Sequence, residues 1–325
     1  MKRFFIKILS FVMVLFVLMI VSDMLLCKGL LQSETSTFQD YHAMLEGGME
    51  NDILVIGSSR ARNHFDTGLI DSALNVQSFN IGIGGHPINA ELLKCYLYRL
   101  HNKKPAVIIF DVNNGTLSCE NDIRRSFESE QFFPLVYDRG MRPLMRDLGY
   151  GFPELNIPLY RFYGYHDVII RGFCEVTHIK HFVEDPSYKG YVPISGSYDG
   201  TVVRGMDVQS ASFSNEAKMC FESFLAQCQS DSINVVLVYS PFYKDGQEKF
   251  LGVDELRQYY VVTAKKFGCS YLDYMECDIS SDSTFFYNAS HMNALGAKVF
   301  GNILCNDLKS LSYPFPDEIG FIGND

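Results

Sequence analysis

The chain has 325 residues, 47% of them hydrophobic and 14% aromatic, with no Trp and a net charge of −10. This length is sufficient for one large globular domain with an appendage. The negative charge argues against a nucleic-acid partner and against docking on anionic lipid through a basic surface.

The N-terminus has basic residues ahead of a long apolar run. Lys2, Arg3 and Lys7 precede apolar residues from Ile8 to about Val21. Counted from residue 4, this stretch nears the ~20 residues that span a bilayer. Because the basic flank comes first, the N-terminus is expected in the cytoplasm and the rest of the chain outside.

A cleaved signal peptide is the alternative interpretation of this segment. No A-x-A-like site follows the apolar run, and Cys27 lacks the small preceding residue of a lipoprotein signal. We therefore predict an uncleaved signal anchor over residues 1–27, which contacts the bilayer through residues 4–26. A juxtamembrane linker is predicted over residues 28–50.

The nine cysteines are an odd number for an exported chain. Cys220 with Cys228, or Cys269 with Cys277, could form a disulfide, but the sequence does not assign bridges. The absence of a C-x-x-C motif argues against a zinc ribbon or a redox dithiol.

The segment Ile-Leu-Val-Ile at 53–56 predicts a buried parallel strand. It runs into Gly57, Ser58 and Ser59, and helical spacing follows over about 62–73. This junction places a hydroxyl at the carboxyl edge of a sheet, where open α/β sheets bind ligands and a helix N-terminus favours negative charge. Ser59 is the candidate nucleophile, although either serine could instead cap the helix.

A second strand, near Val76–Ile81, ends in a glycine-rich turn before a helix at Pro87. The turn has neither G-x-G-x-x-G nor a P-loop lysine, which argues against a nucleotide site. Gly85 could instead expose its backbone N–H to a reacting carbonyl. We interpret His86 as a turn cap.

The third predicted strand, Ala106–Phe110, is followed by Asp111-Val-Asn113. An Asn at this position can form a turn, or it can aim its side-chain amide into the crevice as a hydrogen-bond donor. Both interpretations of Asn113 remain open from the sequence.

Residues 116–212 lack a clear periodicity and are rich in aromatic residues, Pro and Gly. This is too long for one loop, so we predict a subdomain inserted after the third strand. Its aromatic residues could stack on sugar rings or form the core of the insert. His178-x-x-His181 has no third ligand nearby and does not predict a metal site.

The strand and helix alternation returns after the insert. Helices are predicted near 214–230 and 253–267, and strands at Val235–Tyr239 and Tyr271–Leu272. His291 then lies in a loop before the terminal helix, on the predicted sheet edge of Ser59. We place His64 on a solvated helix face.

This alternation predicts a three-layer αβα fold with a parallel, flavodoxin-like sheet of about five strands. The predicted catalytic domain covers residues 51–312, and a C-terminal tail covers 313–325.

Four blocks, each at a strand end or before the last helix, form an ordered set that resembles the SGNH (GDSL-like) hydrolase and acyltransferase family. They are Gly57-Ser-Ser-Arg60, Asn80-Ile-Gly-Ile-Gly-Gly85, Asp111-Val-Asn-Asn114 and Asn288-Ala-Ser-His291. The resemblance implies that Ser59 is the nucleophile and His291 its base, without a cofactor or metal. It also implies an oxyanion hole formed by the Ser59 N–H, the Gly85 N–H and Asn113 Nδ2.

The resemblance makes Asn288 the third candidate catalytic residue, but the chain departs from the family pattern there, because the family has Asp. An amide cannot supply the charge that stabilises an imidazolium. The chain could work as a Ser–His dyad with a backbone acceptor, Asp282 or Asp273 could substitute, or activity could be weak. A second departure is Asp111, where the family has Gly.

The resemblance and the anchor together predict a membrane-anchored, externally facing esterase or O-acyltransferase. Its expected substrates are acylated, above all acetylated, cell-surface carbohydrates. With this architecture the chain resembles the acetyl-transfer proteins of exopolysaccharide modification, and the resemblance also implies a membrane acyl-transfer partner as an expectation. A non-catalytic binding or assembly module is the alternative. An α/β-hydrolase lipase is disfavoured because the serine follows the first strand of the domain and lacks a full G-x-S-x-G.

Overall fold

The computed structural model describes residues 1–35, 37–85, 87–119, 122–125, 128–183, 187–199, 207–211 and 213–311. His86 and the predicted tail, 313–325, lie outside the described residues. The chain divides into two compact units. Unit 1 comprises residues 1–43 and 121–184, and unit 2 comprises residues 44–120 and 185–325.

The strands, in chain order, are β1 (Ile53–Gly57), β2 (Ser78–Asn80), β3 (Val107–Asp111), β4 (Gln209–Ser210), β5 (Asn234–Tyr239), β6 (Phe250–Leu251) and β7 (Ser270–Asp273). Five of them form a parallel sheet in the order β2-β1-β3-β5-β7, and β4 pairs with β6 separately. Counted within the sheet, this is the flavodoxin-like order 2-1-3-4-5. The predicted fold class is confirmed.

The α-helices are α1 (Lys2–Gln32), α2 (Gln39–Glu46), α3 (Ser59–His64), α4 (Thr67–Leu74), α5 (Ile88–His101), α6 (Met141–Asp147), α7 (Phe152–Asn156), α8 (His166–Val176), α9 (Asn215–Ser230), α10 (Lys244–Gln247), α11 (Val253–Phe267) and α12 (Ala294–Ser310). The single helix predicted over 62–73 is two helices, because Asp66 caps α4 by accepting the Leu69 N–H.

The sheet of unit 2 is buried on both faces, as expected for parallel strands. On one face Val55 packs in a cluster with Phe300 and Leu304 of α12. On the other face the ring of Phe110 lies 5.6 Å from that of Phe221 on α9. These contacts form the three layers.

The pairing of β1 with β3 fixes the position of the site. Gly57 pairs with Asp111, so both strands end at the same level. In this sheet order, β1 and β3 flank the point where ligands bind in flavodoxin-like proteins. Beyond the end of β2, the chain continues to run beside β1. The Ile81 N–H donates to Val55 O, and the Ile83 N–H donates to Gly57 O, each at 2.9 Å.

Unit 1 is built around α1 and α8. Gly29 of α1 lies against the backbone of Gly172 of α8, at a distance that leaves no room for a Cβ atom. The helix continues past Cys27, the expected end of the anchor, to Gln32, and Leu26 and Leu30 are buried. Within the described part of the chain, α1 is the one helix that is long and apolar enough to cross a membrane.

Many aromatic side chains of the insert form its own core. Phe133 packs edge-to-face on Phe162 and Tyr165, with ring centroids 5.2 and 5.0 Å apart. Phe132 and Tyr150 are also fully buried. These residues are therefore not available to stack on a sugar. Neither of the two cysteine pairs considered above forms a disulfide, and these four residues are free thiols.

Candidate active site

Ser58 and Ser59 have different roles at the end of β1. Gly57 has a φ of +134°, and a Cβ atom there would lie 2.9 Å from the Asp111 carbonyl oxygen, so the turn requires glycine. Ser58 is the N-cap of α3, and its Oγ accepts the Arg60 N–H at 3.4 Å. The capping role therefore falls on Ser58, which leaves the hydroxyl of Ser59 for another partner.

That partner is His291. Ser59 Oγ lies 2.7 Å from His291 Nε2, although 232 positions separate the two residues. Both side chains are partly exposed. A serine hydroxyl and an imidazole at hydrogen-bond distance form the pair needed to activate a serine nucleophile.

The other ring nitrogen of His291 faces Asn288 and Ser290. Nδ1 lies 3.1 Å from Asn288 Oδ1 and 3.0 Å from Ser290 Oγ. Asn288 Oδ1 also accepts the backbone N–H groups of Ser290 and His291, both at 2.9 Å. These bonds fix the amide orientation, so the proton of the Nδ1···Oδ1 bond is on Nδ1. Nε2 is then free to accept a proton from Ser59.

Neither of the carboxylates considered as substitutes contacts His291. Asp273 pairs with Arg257 at 2.7 Å, and Asp282 accepts the Thr284 N–H at 2.9 Å. Among the described residues, no carboxylate lies within hydrogen-bond distance of the His291 imidazole. The acceptor for Nδ1 is the side-chain amide of Asn288, the residue at the position of the family's Asp.

The surroundings of His291 disfavour its charged form. Burial, and then the positive charges of Arg60 and Arg62, lower the pKa of His291 to about 4. The imidazole is therefore neutral at pH 7 and ready to accept a proton. The same surroundings make the imidazolium formed during a reaction less stable.

Three candidate oxyanion donors lie at the ends of β1, β2 and β3. The Ser59 N–H belongs to the first turn of α3, where backbone donors have no intrahelical acceptor. Asn113 Nδ2 donates one hydrogen to Ser58 Oγ at 3.1 Å, which leaves its second hydrogen for another acceptor. Asn113 Oδ1 accepts the Gly115 N–H at 2.8 Å, so Asn113 both forms the turn and presents a donor next to the serines.

Gly85 follows a turn in which the preceding Gly82 and Ile83 amides are engaged. The Gly82 N–H donates to Asn80 Oδ1 and the Ile83 N–H to Gly57 O, both at 2.9 Å. Gly85 has a φ of +65° and is exposed. Among the described residues its N–H has no hydrogen-bond acceptor, so it can serve an oxyanion as the sequence predicts.

The solvated position expected for His64 is wrong, because its side chain is fully buried. Its Nε2 accepts the Met292 backbone N–H at 2.9 Å, so its proton is on Nδ1, which lies 2.9 Å from Ser240 Oγ. Burial, and then the charge of Arg60, lower the pKa of His64 far below its usual value, so the ring is neutral. His64 therefore ties the loop that carries His291 to α3.

Arg60 extends this buried network. Its Nη2 donates to Ser240 Oγ at 2.9 Å, and its Nε lies 3.9 Å from the buried carboxylate of Asp111. Burial raises the pKa of Asp111, an effect that Arg60 opposes. Arg60, His64 and Ser240 were not predicted to be site residues from the sequence. The available signal was the four-residue spacing of Arg60 and His64, which puts both on one face of α3.

The chain matches no family model and no curated protein. Among solved structures it is similar to a protein assigned to the lipolytic G-D-S-L family from Desulfitobacterium hafniense DCB-2, with 11% identity, a TM-score of 0.40 and coverage of 78% of this chain and 97% of that one. It is also similar to a protein described as a platelet activating factor from Streptococcus pneumonia, with 12% identity, a TM-score of 0.44 and coverage of 86% and 94%.

A third similar structure is an assigned acylhydrolase from Bacteroides fragilis NCTC 9343, with 11% identity, a TM-score of 0.38 and coverage of 84% and 94%. The sheet order β2-β1-β3-β5-β7 makes unit 2 a parallel α/β domain with the flavodoxin-like order of strands.

Proposed function

We propose that this SGNH-like chain is a serine esterase or O-acyltransferase, held at a membrane by α1, that acts on acyl groups of cell-surface carbohydrate. Acetyl is the acyl group we favour. The observation that carries the proposal is the 2.7 Å contact between Ser59 Oγ and His291 Nε2, with Nδ1 held by Asn288 Oδ1.

In the first half of the reaction, Ser59 Oγ attacks the ester carbonyl carbon and its proton moves to His291 Nε2. The carbonyl oxygen becomes an oxyanion, held by the Ser59 N–H, the Gly85 N–H and the free hydrogen of Asn113 Nδ2. When the carbon–oxygen bond to the leaving alcohol breaks, His291 returns the proton to that alcohol. Ser59 is left as an acyl ester.

The second half repeats these steps with a new nucleophile. Water or a sugar hydroxyl gives its proton to His291 Nε2 and attacks the acyl ester. The intermediate collapses, and His291 returns the proton to Ser59 Oγ. Water as acceptor gives hydrolysis, and a sugar hydroxyl gives acyl transfer.

Contacts of α1 with the rest of unit 1 favour an uncleaved anchor. The Asp23 carboxylate accepts Arg161 Nη1 at 2.9 Å, Tyr137 Oη at 2.6 Å and the Leu159 backbone N–H. Asp23 is fully buried, so removing α1 would leave Arg161 as a buried, unpaired charge. Cys27 is also buried within the helix, which disfavours a lipoprotein signal. With the basic flank inside, the domain is then extracytoplasmic.

The carbohydrate substrate class rests on this location. An acyl-transfer enzyme tethered to the outer side of a membrane meets envelope or nascent surface polysaccharide, whose hydroxyl groups can carry acyl esters. An enzyme that acts on a soluble ester of the same acyl group would not require a membrane tether.

The test uses the full chain purified in detergent. The wild type is expected to release p-nitrophenol from p-nitrophenyl acetate and to gain one acetyl group on Ser59 by mass spectrometry, whereas Ser59→Ala does neither. Ser58→Ala is the matched control, because it removes the adjacent hydroxyl but not the proposed nucleophile. Equal rates for wild type and Ser59→Ala would reject the proposal.

Hydrolysis and transfer are separated by adding an acceptor oligosaccharide to the same reaction. A transferase is expected to produce acetylated oligosaccharide at the expense of free acetate. If the sugar changes neither product, the enzyme is an esterase toward this donor.

The uncharged side chain of Asn288 favours a second candidate, a non-catalytic module that binds acylated glycan. That function predicts binding of an acetylated oligosaccharide by the wild type without labelling of Ser59 by a fluorophosphonate probe. Labelling that is lost in Ser59→Ala would exclude it.

A further inference from the structure

Unit 1 contains a large apolar cavity that is separate from the residues around Ser59. Its volume is about 1060 Å³, just above the ~300–1,000 Å³ common for small-molecule pockets. One wall consists of Met19, Ser22, Leu25 and Leu26 of α1. Another wall comes from lining residues between 157 and 177, which include Ile169, Phe173 and Val176 of α8.

The α1 wall lies where this helix changes from exposed to buried. Residues 1–18 are all exposed, whereas Asp23 and Leu26 are buried in unit 1. If α1 crosses the bilayer from Phe4, ~20 residues at ~1.5 Å each cover the ~30 Å hydrocarbon core and end near Asp23. The cavity then lies at the outer boundary of the hydrocarbon region.

The side chains around the cavity suit this depth. Tyr160 and Tyr163 line it and are 48% and 91% exposed, and Phe173 is 53% exposed. Tyrosine is enriched where protein crosses the membrane–water interface. Exposed apolar groups next to an apolar cavity indicate a surface that is covered by lipid or by a partner.

The charged groups of the lining are already paired within the protein. Arg124 donates to Asp122 at 2.6 Å and to Glu154, and Arg161 is held by Asp23. Both arginines among the described lining residues are therefore paired with carboxylates, and neither offers a site for a phosphate group. The cavity therefore selects a hydrocarbon chain rather than a charged head group.

We propose that this cavity binds one acyl chain of a bilayer glycerophospholipid. The proposal rests on the anchor role of α1 in the proposed function. It follows from an apolar volume large enough for a chain, a wall formed by the membrane-proximal part of α1, and a rim of exposed aromatic residues. The bound chain would fix unit 1 at the membrane surface.

The test reconstitutes the full chain in phosphatidylethanolamine vesicles doped with a phospholipid that carries a diazirine on its acyl chain. After irradiation, lipid-modified peptides are expected from the cavity wall at 157–177 as well as from α1. Ile169→Trp, which narrows the cavity beside α8, is expected to lower labelling of the 157–177 wall, because the indole occupies space that the acyl chain would use. Ile170→Trp is the matched control, since this neighbour is 55% exposed and outside the cavity lining.

Labelling confined to residues 4–18, or equal labelling in the two tryptophan variants, would overturn the proposal. The proposal would also be overturned if the cavity retained only an isoprenoid lipid. The same holds if a co-purified protein occupied the cavity and blocked labelling. Val176→Trp, a second cavity-lining change, replaces Ile169→Trp if that variant does not fold. Extraction of the chain from the vesicles by alkaline carbonate would instead reject the role of α1 as a membrane anchor. Loss of fluorophosphonate labelling at Ser59 would reject only the enzymatic proposal.

Discussion

His291 is oriented by Asn288 through an amide oxygen, at 3.1 Å from Nδ1 to Oδ1, where an SGNH-type site is expected to have a carboxylate. The amide still holds the proton on Nδ1 and leaves Nε2 facing Ser59. It gives no negative charge to stabilise the imidazolium, and Arg60 and Arg62 add positive charge nearby. The geometry of a triad is present, therefore, but its electrostatics are weaker.

Asn288→Asp is expected to raise activity. A carboxylate can accept the same hydrogen bonds from Ser290 and His291, and it adds a charge that stabilises the imidazolium and raises the pKa of His291. In serine proteases the opposite exchange lowers turnover about 10⁴-fold, partly through a wrong tautomer. Since the tautomer is already correct here, we expect a smaller gain, roughly 10- to 100-fold in kcat. Steady-state hydrolysis of p-nitrophenyl acetate measures it.

The double variant Ser59→Ala/Asn288→Asp provides the control and should remain inactive. An unchanged or lower kcat in Asn288→Asp, with the wild-type melting temperature, would mean that charge at this position does not limit the reaction.

The pH profile should reflect the low pKa of His291. Activity requires the neutral imidazole, so kcat/KM is expected to be constant near neutral pH and to fall only as the pH drops through about 4. Arg62→Gln removes one of the charges that depress this pKa, and so the acidic limb should move to higher pH. Initial rates in a series of buffers at constant ionic strength show the shift. Lys298→Gln, a charge removal on α12, is the control, and an identical shift in that variant would point to a general charge effect.

Stability should follow the same titration. The folded-state pKa of His291 lies below its ordinary value of 6.5, so the unfolded chain binds more protons between these two values. The free energy of unfolding is therefore expected to decrease as the pH falls from about 6.5 to about 4. His291→Gln should show a smaller decrease over this range in urea titrations. Parallel pH profiles for the two proteins would contradict the assignment.

The sequence predicted the parts of this molecule that depend on local patterns. Runs such as Ile53–Ile56 and Ala106–Phe110 fall within one residue of strands β1 and β3, and α11 has the predicted bounds. The approach of Ser59 and His291 also followed from sequence, since both were placed at one edge of a parallel sheet.

Sequence reasoning failed where burial decides a role. His64 follows polar residues, as a surface residue would. In the folded chain, however, α12 and the 286–292 loop pack against it and bury it. Likewise, nothing local in Asp23 shows that it meets Arg161 138 positions away. Such pairs depend on long-range contacts rather than on spacing.

His64→Leu is expected to reduce both stability and turnover. It leaves the Met292 N–H buried without an acceptor, which costs ~1–3 kcal/mol, and it frees the loop that holds His291. We expect kcat to fall about tenfold if the loop shift costs ~1.4 kcal/mol of transition-state stabilisation. His64→Gln, whose amide oxygen can accept the Met292 N–H, should recover most of the loss. If His64→Leu loses stability but keeps the wild-type kcat, His64 does not position His291.

The Asp23–Arg161 pair gives a test of whether α1 is a structural part of the mature protein. Because both side chains are buried and hydrogen-bonded, breaking the pair leaves one uncompensated charge, at a cost of ~3–5 kcal/mol. Asp23→Asn and Arg161→Met should therefore each lower the denaturant midpoint of the full chain in detergent. The double variant Asp23→Asn/Arg161→Met should lose less than the sum of the two, because neither charge is then left alone. Lys103→Met, which breaks an exposed pair with Glu50, is the control and should change little. If the N-terminus of the mature protein lies after Cys27, α1 is dispensable for the fold of unit 1. Unchanged denaturant midpoints in the two single variants would show the same.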